Sequence, residues 1–323
     1  MKAWVRDEYG GTDALEFTDI DMPAVADDGV LVRVQASSVN QADLDYLYGR
    51  PAIARLGTGL RRPTNRGLGL DVAGQVEAVG RAVTRFQPGD EVFGDMTEFG
   101  YGAFAEYVAA PEQAFAPIPS GITPEEASTV PQGAILAIQG LNARGGIRPG
   151  DTVLINGASG SVGPWAIQIA KALGAEVTGV ASTKKLELVH SLGADHVVDY
   201  TREDFTRLGH RYDRIIDVMA TRSVSDIRRA LTPRGVYIVI GGSIARLFGI
   251  MVVGLVISAT GGQKLGIAYW KPFNPPDVAA LTELLEAGKI RPVIDRRYPL
   301  AEVPDALRYV EDGHAMGKVV ITV

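Results

Sequence analysis

The chain has 323 residues, 46% of them hydrophobic and 22% charged, with a formal net charge of −6 and no cysteine. That length exceeds one ordinary hydrophobic core and points to two domains. The mildly acidic balance argues against a nucleic-acid partner. Without cysteine there are no disulfides, no thiolate chemistry and no cysteine-bound zinc.

The first residues, MKAWVRDEYG, hold no long apolar stretch, so no secretory signal is read there and a cytoplasmic location is expected. Segments 29–40 (GVLVRVQASSVN), 71–80 (DVAGQVEAVG), 89–96 (GDEVFGDM) and 102–110 (GAFAEYVAA) read as strands bounded by Gly-Asp turns. The texture changes at 122. Thr123-Pro124-Glu125-Glu126 has a helix-start signature: a capping hydroxyl, proline at the first helical position and acids in the first turn.

Strands and helices then alternate: TVLING, a helix over 161–173, AEVTGVAS, a helix over 184–192, HVVDY, RIIDVMA, a helix near 223–231 and GVYIVIGG. Apolar runs separated by helices are the pattern of a doubly wound parallel sheet. The most apolar run, 247–260, has 14 residues, short of the roughly 20 that span a bilayer. It reads as a buried or interfacial segment. A further helix over 275–289, with Gly288 as its stop, precedes a tail that ends in a helix and a strand. The fold class is α/β, with a β-rich front half and a parallel-sheet middle.

Gly157, Gly160 and Gly163 form GxxGxxG between a strand and a helix, with a second strand ending about 20 residues on. A dinucleotide site needs such a turn. The chain reverses sharply, the pyrophosphate approaches the backbone, and the N–H groups of Ser161 and Val162 face the anion at the helix start. A nucleophile elbow would need glycine where Ser161 stands. An NAD site offers a carboxylate at the end of the second strand for the ribose 2′-hydroxyl. Here Ser182, Thr183, Lys184 and Lys185 occupy that end, with Tyr200 closing the neighbouring strand. Hydroxyls and ammonium groups suit a 2′-phosphate, so NADP(H) is the expected cofactor.

The stretches ASSVNQADL, GLDVAGQVEAVG, FQPGDEVFG, GAFAEYVAAP, the 148–183 segment, SLGADHVVDY and GKVVITV together resemble the medium-chain dehydrogenase/reductase superfamily, in its zinc-independent quinone oxidoreductase-like branch. The resemblance implies a GroES-like catalytic domain over 1–121, completed by 290–323, and a Rossmann NADP(H)-binding domain over 122–289. It implies hydride transfer from NADPH to a quinone or an activated carbon–carbon double bond. A homodimer or other homo-oligomer is also implied. Residues Gly241, Gly242 and Ser243 would lie by the nicotinamide, Lys318 near the cofactor, and Asn40 in the substrate cleft.

The four histidines (His190, His196, His210, His314) all lie outside the front segment where the superfamily's zinc would sit. No metal is therefore expected, and polarisation of the acceptor falls to hydrogen bonds. Asn40 is the candidate orienting group. Tyr46 and Tyr48, expected on the loop after it, are candidate proton donors, and Asp43 is placed to cap a helix. Leu136 stands where the family often has a threonine, and Val218 and Ala220 replace a common glycine or asparagine. Two rival readings follow: an enoyl or enoyl-thioester reductase, and a catalytically silent NADPH-binding sensor or structural protein.

Overall fold

The structure, a computed structural model, describes residues 1–323, with the side chains of all but 244 and 245. The chain divides into two compact units: 1–133 with 272–282 and 292–323, and 134–271 with 283–291.

In the first unit β1 (Lys2–Val5) and β2 (Glu16–Asp19) form an antiparallel pair. β3 (Gly29–Val39), β4 (Asp71–Val79), β5 (Glu91–Asp95), β6 (Tyr107–Pro111) and β7 (Phe115–Pro117) belong to one sheet. The alternation of GVLVRVQASSV puts Val30, Val32 and Val34 on a buried face, against Val72, Val76, Val92 and Phe115. Helix α1 (Gln41–Tyr48) follows β3 directly and ends at Gly49, in the left-handed conformation. The short α2 (Arg55–Thr58) and α3 (Pro124–Ala127) come next. At α3 the expected capping box is present: Glu126 N–H donates to Thr123 Oγ1 at 3.3 Å, and Thr123 N–H to Glu126 Oε2 at 2.8 Å.

After α4 (Val130–Asn142) come β8 (Thr152–Asn156), β9 (Glu176–Ala181), β10 (His196–Asp199), β11 (Tyr212–Asp217), β12 (Leu231–Val239) and β13 (Lys264–Ile267). They form a parallel sheet in the order β10-β9-β8-β11-β12-β13. The order reverses beside β8, and in open α/β sheets ligands bind at that point, outside the carboxyl ends of the strands. The helices of this half are α5 (Gly163–Ala172), α6 (Leu186–Ser191), α7 (Val224–Ala230) and α8 (Ile244–Thr260). Then α9 (Pro275–Glu286), β14 (Ile294–Pro299), α10 (Val303–Glu311) and β15 (Lys318–Thr322) return the chain to the first sheet, where β15 pairs antiparallel with β3.

Two local expectations are corrected. Tyr46 and Tyr48 lie on a helix, α1, and not on a loop, because Asn40 and Asp43 cap a helical start there. The 247–260 run is part of α8. One side packs on β13 through Ile250, while Phe248 (62%), Leu255 (66%) and Val256 (62%) are exposed.

Candidate active site

The apolar strand β8 delivers the chain to a turn that only glycine can make. Gly157 has φ +86°, and a Cβ on Gly163 would stand 2.3 Å from the Gly157 carbonyl oxygen. Gly160 bridges them, its N–H 3.4 Å from the same oxygen. The sequence placed the helix start at 161, but α5 begins at Gly163, with Pro164 in its first turn. Ser161 and Val162 thus precede the helix, and their N–H groups donate to nothing among the described residues. That is the donor arrangement an anion needs.

The second part of the site is a corner at the ends of β9 and β10. These strands run parallel with Ala181 opposite Asp199, and Tyr200 N–H donates to the Ala181 carbonyl at 3.1 Å. Ser182, the 3₁₀ turn Thr183–Lys185 and Tyr200 therefore sit on adjacent strand ends. Lys184 is exposed, Lys185 half-buried, and Tyr200 is 55% exposed. The sequence reading missed Asp199. Thr183 Oγ1 donates to Asp199 Oδ2, and Thr201 donates to Oδ1 through its hydroxyl at 2.6 Å and its N–H at 3.0 Å. The bonds from Thr183 and then Thr201 hold the Asp199 carboxyl below its ordinary value. An acid is therefore present after all, one strand over, and it engages Thr183. The penultimate residue of HVVDY was the available signal.

The third part follows β12. Ile240 N–H donates to the Asp217 carbonyl at 2.9 Å, so Gly241, Gly242 and Ser243 stand beside the end of β11. A Cβ on Gly241 would lie 2.5 Å from the Val218 carbonyl oxygen. Ser243 is the residue before α8, its carbonyl accepting from the N–H groups of Arg246 and Leu247 at 2.9 Å each. Buried Asp217, also unflagged by the sequence, ties these ends together. It accepts from Asn156 Nδ2 at 2.8 Å, Tyr237 OH at 2.8 Å and Ala220 N–H at 2.7 Å. Leu136, on α4, is half-buried.

In the first unit the register assembles a buried polar row across strand ends. Ser38 faces Asp71, Asp71 faces Asp95, and Val39 faces Val319, which brings Asn40 to Lys318. Lys318, 1% exposed, donates from Nζ to Asn40 Oδ1 at 2.5 Å and to Asp71 Oδ2 at 3.0 Å. Asn40 Nδ2 donates to Asp71 Oδ2 at 2.9 Å and to the Ser38 carbonyl at 3.3 Å. The Asn40 amide is thus engaged on both ends within the protein. Gln132 adds its N–H to Asp71 Oδ1 at 3.1 Å and its Nε2 to Asp95 Oδ2 at 3.2 Å. Asp43 Oδ2 accepts from Asn40 N–H at 2.8 Å, while its Oδ1 is buried without a partner among the described residues. Burial, with the nearby Asp71 carboxylate, pushes Asp43 up to about 8. The same two causes push Asp95 up to about 7.

The tyrosines separate. Tyr48 OH donates to Glu311 Oε2 at 3.0 Å, beside α10. Tyr46 is buried, its hydroxyl 3.5 Å from the Asn65 carbonyl and its ring stacked on Tyr101 with centroids 3.8 Å apart. Neither phenol hydrogen-bonds the Asn40–Lys318 row.

Two family models match the chain: the alcohol dehydrogenase GroES-like domain over residues 26–120 and the zinc-binding dehydrogenase over 192–321. The mouse mitochondrial NAD(P)H oxidoreductase RTN4IP1 is 34% identical, over 100% of this chain and 89% of that protein. An Arabidopsis thaliana chloroplastic NADPH-dependent alkenal/one oxidoreductase is 34% identical, over 99% and 79%. The quinone oxidoreductase of Coxiella burnetii superimposes with a TM-score of 0.87 at 27% identity, covering 100% of this chain and 99% of that one. The chain belongs to the medium-chain dehydrogenase/reductase superfamily, as a quinone oxidoreductase-like member with a GroES-like domain and a Rossmann-type sheet. It is an oxidoreductase.

The second family model is named for zinc, and the residues present do not fit that ion. The chain has no cysteine, and among the described residues no group of three or more His, Asp or Glu is disposed to hold a metal. His196 pairs with Glu176 at the surface, at 2.9 Å, and His314 lies against the Tyr309 ring. Among the described residues no helix is long and apolar enough to cross a membrane.

Proposed function

We propose that this protein is an NADPH-dependent, zinc-independent reductase that passes hydride to a quinone or to the double bond of an α,β-unsaturated carbonyl. The observation that carries it is the pairing, on one sheet, of the glycine turn with the Ser182–Lys185 corner. The free amides of Ser161 and Val162 would take the pyrophosphate. Ser182, Lys184, Lys185 and Tyr200 would take the 2′-phosphate, with Thr183 held in place through Asp199. Gly241, Gly242 and Ser243 leave backbone, without side-chain bulk at two of the three positions, where the nicotinamide would lie. When bound, NADPH supplies the hydride, and the protein positions, orients and excludes water.

Lys318 acts within the first unit. Its ammonium pairs with Asp71 and donates to the Asn40 amide oxygen. Small hydrophobic acceptors fit the reading, as does a homodimer formed over the exposed side of α8 and the sheet-edge strand β13.

The test is to titrate purified protein with NADPH and with NADH, then follow nicotinamide absorbance against naphthoquinones, enones and enals. NADPH-selective oxidation with a quinone or enone is the expected result. Equal use of NADH would overturn the role given to Ser182–Lys185. Tight NADPH binding with no turnover on any acceptor would replace the reductase by a silent cofactor-binding protein.

A further inference from the structure

The turn that follows β10 is organised by Asp199. Its carbonyl accepts from Arg202 N–H at 3.0 Å and from Glu203 N–H at 2.9 Å, which folds residues 199–203 back on themselves. Asp199 is 6% exposed, and its carboxyl divides two oxygens among three neighbours. Oδ1 accepts from the Thr201 hydroxyl at 2.6 Å and from its N–H at 3.0 Å. Oδ2 accepts from Thr183 Oγ1 and stands 3.5 Å from Arg202 Nε. Thr183 belongs to the turn after β9, and Arg202 lies beyond β10. One carboxylate oxygen therefore brings a cation from the second strand end against the turn that carries Lys184 and Lys185. The Thr183 and Thr201 hydroxyls, 3.3 Å apart, close the same junction.

Two consequences follow for the nucleotide corner. In an NAD site the acid keeps an oxygen open to the ribose 2′-hydroxyl. Here both oxygens are occupied and the charge is paired with Arg202, so the acid is withdrawn from that task. The second consequence concerns Arg202 itself. Its side chain is 72% exposed, and beyond the Nε contact its guanidinium makes no hydrogen bond among the described residues. A planar guanidinium anchored at one edge keeps its remaining donors directed and free, the form that suits a phosphate dianion.

We propose that Arg202 is a further ligand of the cofactor's 2′-phosphate and that Asp199 is the positioning residue that holds it at the corner, the pair together setting the preference for NADP(H). This rests on reading the Ser182–Lys185 corner as a 2′-phosphate site. Asp199 touches no part of the cofactor in this arrangement. It acts through Arg202 and through Thr183, and its own charge is offset by the cation it holds.

The experiment measures dissociation constants for NADPH and NADH, and for 2′,5′-ADP and 5′-AMP, with wild type and three variants. Arg202→Gln is expected to weaken NADPH and 2′,5′-ADP about 10-fold while leaving NADH and 5′-AMP unchanged. Asp199→Asn keeps the side chain's size and removes the charge that holds Arg202, so it is expected to weaken NADPH selectively as well. Arg207→Gln, which removes another exposed cation of the same unit, is expected to leave all four ligands unchanged. Wild-type NADPH affinity in Arg202→Gln would overturn the proposal, and so would an equal loss in Arg207→Gln, which would show only the general field of surface cations. Tighter NADPH binding in Asp199→Asn would make the acid a repelling charge and remove its positioning role. A loss shared equally by NADPH and NADH would make either residue structural. A wild type that binds NADPH and NADH alike removes the 2′-phosphate reading of the corner itself, and this proposal with it.

Discussion

At the residue scale, the first unit surrounds a single buried ammonium with three buried carboxyls. Lys318 pairs with Asp71, and Asp43 and Asp95 then face a carboxylate in a dry setting. Removing one partner of such a pair leaves an uncompensated buried charge, which is why the cluster tolerates little change. Asp43 carries a pH prediction. Its carboxyl sits at about 8 in the folded protein, against an ordinary value of 3.8, so the folded state binds more protons between those values. Stability from this group is full below the ordinary value and is lost as pH rises through about 8. The melting temperature of the wild type should therefore fall by several degrees from about pH 5 to about pH 9, and Asp43→Asn should flatten that fall. Thermal unfolding of both proteins across that range checks it, and equal slopes would place the titrating group elsewhere.

At the element scale, the turn from β8 into α5 works because a glycine opens the helix. A helix-opening glycine costs about 1 kcal/mol of backbone entropy against alanine. Here the cost is accepted because the alternative is a collision with main chain: a Cβ would lie 2.3 Å from the Gly157 oxygen and 2.4 Å from the Ala158 carbonyl carbon. Backbone atoms cannot swing aside as a side-chain tip can. Gly163→Ala should thus push the turn open, displace the Ser161 and Val162 amides, and weaken both NADPH and NADH by about 10-fold or more. Fluorescence titration with each nucleotide measures it. A loss confined to NADPH would contradict a pyrophosphate role, since both nucleotides share that group.

At the scale of the whole molecule, α8 and β13 lie at one edge of the parallel sheet, with Phe248, Leu255, Val256 and Tyr269 exposed. An exposed apolar helix face beside an open strand edge is a liability for a chain that stays alone. With a second copy over this face, the edge gains a partner and the apolar surface leaves water. If the proposed dimer forms over this face, Leu255→Glu should leave a monomer while nucleotide binding persists. Sedimentation equilibrium reads the mass directly, and a wild type that sediments as a single chain would end the proposal.

Much of this protein was legible in its residues. The period-two alternation of GVLVRVQASSV, the apolar runs of TVLIN and YDRIID, and GxxGxxG are local patterns, and local patterns report backbone geometry. They announced the strands, the parallel sheet and the phosphate-binding turn. What they could not report is any pairing over long sequence separation. Asn40 meets Lys318 across 278 residues, and Tyr46 stacks on Tyr101 only because the loop after β5 folds back over α1. Asp199 reads as one more strand end until the β9–β10 register sets it under Thr183. The sequence alone determined which segments become strands, helices and turns, because those choices depend on neighbours along the chain. Which charges are buried together, and which donors Asp199 meets, was decided by the tertiary structure alone, since burial and register are properties of segments brought together from far apart.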